Sequence, residues 1–234
     1  MVASFCFGAT YNSGCMKYLF RFLLLQYYPL WLFTGFALLL ILIRFAVTGS
    51  LFYGFLVWNL FLAFLPYVLS QTMLLNPHRG ASKPFRLGIW GLWLLLLPNA
   101  PYLITDLIHL HNGASNWMWF DLFLVFVFAV HGLLLFMLSL ADFNYAIADR
   151  LSNLWKFLLA PIICLLSGFG IYIGRFLRFN SWDVLVRPYA IIEATLVDLS
   201  LPYTWLMTFA FGIFLWVCFM IFRWGSSSKI PTKY

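Results

Sequence analysis

Asp106 and His109 stand three residues apart in the run Pro98-Asn99-Ala100-Pro101-Tyr102-Leu103-Ile104-Thr105-Asp106-Leu107-Ile108-His109. On a helix that spacing puts a carboxylate and an imidazole on one face. His111 follows, and Asp121 comes shortly after. Oxygen and nitrogen donors of this kind suit a divalent metal, so Asp106, His109 and Asp121 are candidate ligands. No H-E-x-x-H or C-x-x-C motif accompanies them. The competing reading neutralises Asp106 with an arginine and leaves the histidines at the membrane interface.

The second chemistry-bearing run is Ser167-Gly168-Phe169-Gly170-Ile171-Tyr172-Ile173-Gly174-Arg175-Phe176-Leu177-Arg178-Phe179-Asn180-Ser181-Trp182-Asp183. Arg175 and Arg178 are also three apart. They are therefore expected to share a face near the outer boundary, where two guanidiniums can hold a phosphate or carboxylate bidentately. The alternative is snorkelling, with ion pairs to Asp106, Asp121 or Asp183. Gly170 and Gly174 form a G-x-x-x-G step that lets another helix approach closely, a homodimer partner included. Asn99, Tyr102, Tyr172, Asn180 and Asp183 lie in the same two runs and complete the candidate polar cluster.

Other polar positions read as packing. His131 is a lone imidazole beside Gly132 inside an apolar stretch, expected to be a hydrogen-bonded core residue. Cys164 and Cys218 also lie in apolar stretches, and Cys6 and Cys15 form no C-x-x-C pair. They read as small apolar side chains and not as a disulfide set or zinc site.

These residues must be positioned by elements that live in lipid. Of 234 residues, 64% are apolar and 9% are charged. A soluble domain averages about 45–50% and about 25%. A mean hydropathy of +0.94 excludes disorder, which needs low hydrophobicity and high net charge. The fold expected is all-α: a polytopic transmembrane helical bundle. A span takes about 20 apolar residues. Six runs qualify, at 27–47, 51–70, 85–108, 118–140, 155–176 and 201–222. They are continuous and not alternating, so they read as helices and not as barrel strands.

The third span is expected to kink or break at Pro98 and Pro101, because proline lacks the backbone donor. That leaves the Leu94 and Leu97 carbonyls in need of other partners, with Asn99 a candidate for one freed group. Broken helices at membrane depth line binding cavities in transporters. Residues 184–200 are partly apolar but carry Arg187, Glu193 and Asp198. A charge costs about 2.5–3.5 kcal/mol at the centre of a span, so this segment is read as interfacial.

The net charge of +7 would suggest nucleic acid in a soluble chain. Here no basic cluster alternates with exposed aromatics, and the charge reads as cytoplasmic anchoring. With the N-terminus inside, ten of the 14 Lys and Arg fall on the cytoplasmic side and four outside. Basic residues collect in cytoplasmic loops, so both termini are expected there. The domain plan is a cytoplasmic segment 1–26, one transmembrane domain 27–222 and a short tail 223–234. Residues 1–15 lack an apolar signal-peptide core, and Met16 offers an alternative start. In this topology five of the seven acids fall on the outer side, so a polar site opens outward.

The two motifs, with Trp119-Phe120-Asp121, resemble the bacterial multi-pass family catalogued as domain of unknown function 1361. The resemblance covers about residues 20–224. Phe120 and Phe179 stand where Tyr and Trp are expected. It implies a protein of a bacterial cytoplasmic or thylakoid membrane, and that both motifs belong to one unit. It supplies no activity. Three uses follow from the residues. The first is binding or transport of a small anionic or lipid-headgroup ligand. The second is a membrane enzyme, with or without a divalent metal, acting on a lipid-linked substrate. The third is a scaffold whose polar motifs only lock the bundle.

Overall fold

The structure is a computed structural model that describes residues 28–75, 83–112, 117–147 and 152–227. The expected cytoplasmic segment 1–26 and the end of the tail, 228–234, lie outside the described residues, as do Arg79 and Arg150. The described chain is helical throughout its regular structure. Six stretches are long and apolar enough to cross a membrane: Tyr28–Thr48, Phe52–Leu74, Pro84–Leu110, Met118–Ile147, Phe157–Arg175 and Pro202–Ser226. The six expected spans are therefore present, because hydrocarbon leaves the backbone no option but internal hydrogen bonds.

The chain divides into two compact units, one ending at Gly54 and one running from Phe55. In the first, α1 (Tyr28–Thr48) ends at Gly49, whose φ of 65° is the left-handed conformation that a side chain disfavours. The Gly49 N–H bonds the Phe45 carbonyl at 2.7 Å and closes the helix. Arg44 lays its guanidinium 5.7 Å from the centre of the Tyr53 ring.

The second unit contains α2 (Phe55–Leu75), α3 (Lys83–Leu96), α4 (Asn99–Tyr102), a 3₁₀ segment (Leu103–Asn112), α5 (Met118–Ile147), α6 (Asn153–Arg175), α7 (Asp183–Val186), α8 (Pro188–Asp198) and α9 (Pro202–Ser227). Helix α5 is its core. The apolar window of α5 is 61% buried, against 22–39% in the other spans. His131 lies within it, fully buried, with its ring 5.6 Å from that of Phe64. At the end of α5 away from Asp121, Asp142 accepts from Gln71 at 2.7 Å and Ser70 at 2.9 Å. There Trp93 donates to Ser139 at 2.8 Å, which joins α3 to α5.

The third span is interrupted as the prolines require. Helix α3 stops at Leu96, and α4 and the 3₁₀ segment continue the crossing. One of the two freed carbonyls, that of Leu97, and the neighbouring carbonyl of Leu95 have partners around the break. The Leu97 carbonyl is taken by the Ala100 N–H at 3.2 Å. Asn99 acts through an intermediary: its amide donates to Ser181 at 3.0 Å, and the Ser181 hydroxyl reaches the Leu95 carbonyl at 3.4 Å.

Glycines set the spacing around this break. A Cβ on Gly170 would lie 2.5 Å from the Pro98 ring, and one on Gly174 would lie 3.2 Å from the Tyr102 ring. The G-x-x-x-G step is thus occupied within the chain. Gly168 faces the other way. A Cβ there would meet the Thr208 carbonyl of α9 at 2.5 Å. At 100° per residue, 168 and 170 point to nearly opposite sides while 170 and 174 coincide.

No helix within 184–200 is long enough to cross a membrane. Helix α8 has 11 residues, or about 16 Å at helical rise, half of an about 30 Å hydrocarbon core. None of its residues is buried, and Tyr189, Ile192, Leu196 and Val197 are exposed.

Candidate functional site

A cavity of about 260 Å³ opens beside the broken third span. Its polar lining comes from four places: Asn59 on α2, Asn99 and Tyr102 on α4, Asp106 and His109 on the 3₁₀ segment, and Arg175 at the end of α6. Asn180 and Ser181 of the following loop close one wall. In a 3₁₀ helix residues three apart eclipse, so Asp106 and His109 share a face as their spacing implies.

Arg175 is the centre of the site. Its Nη1 lies 3.6 Å from Asp106 Oδ1, and the carboxylate side chain is 1% exposed against 16% for the arginine. Nη1 and Nη2 are both 3.4 Å from His109 Nε2, and Nη1 is 3.5 Å from the Tyr102 hydroxyl. Charge-assisted N–H···O bonds are ordinarily about 2.7–2.9 Å. Arg175 is therefore close to three partners and tightly bonded to none. Asp106 keeps one short bond, from the Asn59 amide to Oδ2 at 2.9 Å. Phe55 packs its ring edge against His109, 5.0 Å between centres.

Six of the ten residues singled out in the sequence line this cavity: Asn99, Tyr102, Asp106, His109, Arg175 and Asn180. Four do not. Arg178 is exposed because α6 ends at Arg175; it sits in the loop with φ 57°. The shared arginine face expected for Arg175 and Arg178 does not form, since i,i+3 geometry needs a helix that continues. Tyr172 is on the Gly168 side of α6 and donates to Asp198 at 2.7 Å. Asp121 is buried in the first turn of α5, away from the cavity lining.

Asp183 has a structural part. It accepts the Asn180 N–H at 2.8 Å and the Arg187 guanidinium at 2.9 Å. The Asn180 N–H, followed by Arg187, holds its carboxyl below the usual carboxylate range. Asp183 thereby shapes the loop that carries Asn180 and Ser181.

Among the described residues, no three His, Cys, Asp or Glu side chains lie close enough to hold a metal ion. Asp106, His109 and Asp121 are not brought together as a ligand set, and the His111 side chain lies outside the described residues. The sequence reading missed Asn59 and Ser181. Asn59 had a signal: an amide inside the run Phe55–Leu65 needs a partner in lipid.

No curated protein and no solved structure matches this chain. A family model described as "Protein of unknown function (DUF1361)" matches residues 58–218, which takes in every residue lining the cavity except Phe55. The chain belongs to this family of unknown function, and it is a multi-pass α-helical membrane protein.

Proposed function

We propose that the cavity binds a small ligand through an anionic group, a carboxylate, phosphate or sulfate, with Arg175 as the recognising residue. The observation that carries this reading is the spacing around its guanidinium. Three polar partners stand at 3.4–3.6 Å and none at charge-assisted bonding distance. An oxyanion at about 2.8 Å would improve on all of them. Asn99, Asn180 and Ser181 offer neutral donors alongside.

The cavity opens on the side away from the cytoplasm, in a bacterial cytoplasmic or thylakoid membrane. Support comes from where the cations sit. Lys156 lies at the opposite end of α6 from Arg175, Lys83 and Arg86 at the end of α3 away from the broken crossing, and Arg223 near the C-terminal end of α9. Basic residues favour the cytoplasmic side. With six crossings, both termini then lie in the cytoplasm. Helix α8 rests in the interface, its exposed apolar residues in the headgroup boundary.

One observation favours a second reading. The Asn59–Asp106–Arg175 chain ties α2, the 3₁₀ segment and α6 together, which serves a pure bundle lock as well. Mass spectrometry of the protein purified in a neutral detergent separates the two. The wild type is expected to carry an anionic small molecule or lipid that a variant with both Asp106→Asn and Arg175→Gln loses. The same complement of bound molecules in both proteins would favour the lock.

A further inference from the structure

Arg175 serves two roles in one place, and this has a chemical consequence. Its charge is balanced by Asp106, 3.6 Å away. An arriving anion that draws the guanidinium to itself puts two negative charges beside one positive charge. Asp106 is 1% exposed, so water cannot screen it. Two anions in one desolvated site cannot both stay ionised cheaply. We infer that the site binds its anion together with one proton, which is taken up on Asp106. This rests on the anion-binding reading above and names how that site is coupled.

The proton has a defined place. Oδ2 of Asp106 already accepts the Asn59 amide at 2.9 Å. Oδ1, the oxygen facing Arg175, is the one released when the guanidinium turns to the ligand, and it accepts the proton from solvent. The charge balance closes. The pair by itself sums to zero. With a monovalent anion alone the site is −1, and with that anion and a proton it is zero again. A site within a membrane span therefore admits its ligand without burying a net charge. Uptake of an anion with a proton is the chemistry of electroneutral symport or of acid-form capture.

The groups around Asp106 bear on this assignment. Helix α6 brings Arg175, α4 brings Tyr102, and the 3₁₀ segment brings His109. From α2 comes only the neutral Asn59. Helix α5 packs on the same segment and carries Asp121 and His131, neither of which lines the cavity. His109 is the rival for the proton, because it too touches Arg175.

The test uses methyl sulfate and hexyl sulfate, both monoanions whose charge does not change between pH 5 and 8. Calorimetric titration of the full chain in a neutral detergent, in two buffers of different ionisation enthalpy, counts protons directly. Wild type should take up close to one proton per anion. Its affinity should weaken about tenfold per pH unit once Asp106 is ionised in the free protein. Asp106→Asn, which mimics the neutral acid, should bind as the wild type does at low pH and lose the pH dependence. Coupling with both probes upholds the proposal for a free oxyanion. Coupling with hexyl sulfate alone upholds it for an amphiphile or lipid headgroup. Binding without proton uptake overturns the coupling and leaves the binding reading standing. So does pH dependence that survives in Asp106→Asn and vanishes in His109→Gln. If neither probe binds wild type at any pH in this range, the binding reading itself fails.

Discussion

Gly132→Ala should destabilise the protein more than any other single-methyl addition outside the cavity. A Cβ at Gly132 would overlap the Ala100 carbonyl oxygen and lie 2.7 Å from Leu103 Cδ1. Helix α4 cannot retreat, because Pro98 is pressed against Gly170 of α6 on its other flank. It is held between two glycines on two helices. Overpacking of this kind costs about 1–3 kcal/mol and occasionally more, and here the obstructing atom is backbone, so the upper end is expected. Gly91→Ala is the control, since nothing lies within 4 Å of its Cβ position. Thermal unfolding in detergent should drop sharply for Gly132→Ala and stay near wild type for Gly91→Ala. Equal stability of the two would mean that α4 does not pack as described.

The second large effect concerns the charge pair. Arg175→Gln leaves a carboxylate that is 1% exposed without its counter-charge. Stranding one member of a buried pair costs about 3–5 kcal/mol. Asp106→Asn should cost less, because Arg175 is partly exposed and can extend toward the interface. The double variant should recover most of the loss, since it removes both charges together. A coupling energy of about 3 kcal/mol, the upper end for residues in contact, is the expected result of the double-mutant cycle. Strict additivity of the two single changes would mean that the residues do not sense each other.

How much of this was legible in the sequence differs from residue to residue. The six spans were, because lipid tolerates few ways to satisfy a backbone and long apolar runs are the signature of one of them. The break was legible too, since Pro98 lacks a donor wherever it is placed. Its repair was not. Ser181 reaches Leu95 from far along the chain, and no local rule joins the two. Arg178 misled because i,i+3 spacing means a shared face only inside a helix, and nothing local showed that α6 stops at Arg175. Tyr172 was separable in principle, being two residues from Gly170 and so on the far side of the same helix. Asn59 was visible as a polar residue in lipid, but its partner Asp106 is a tertiary fact.

The scaffold and binding readings share nearly every contact described above. They part at one point, whether Arg175 meets anything besides Asp106, His109 and Tyr102. The most direct measurement is the affinity of hexyl sulfate and methyl sulfate for wild type and for the Asp106→Asn, Arg175→Gln double variant at pH 5.5, both shown folded by thermal unfolding. Hydrogen bonds to charged groups contribute about 1.5–3 kcal/mol. A loss of roughly 10- to 100-fold in the double variant is therefore predicted. Equal affinity in the two proteins, or none in either, would contradict an anion site at Arg175.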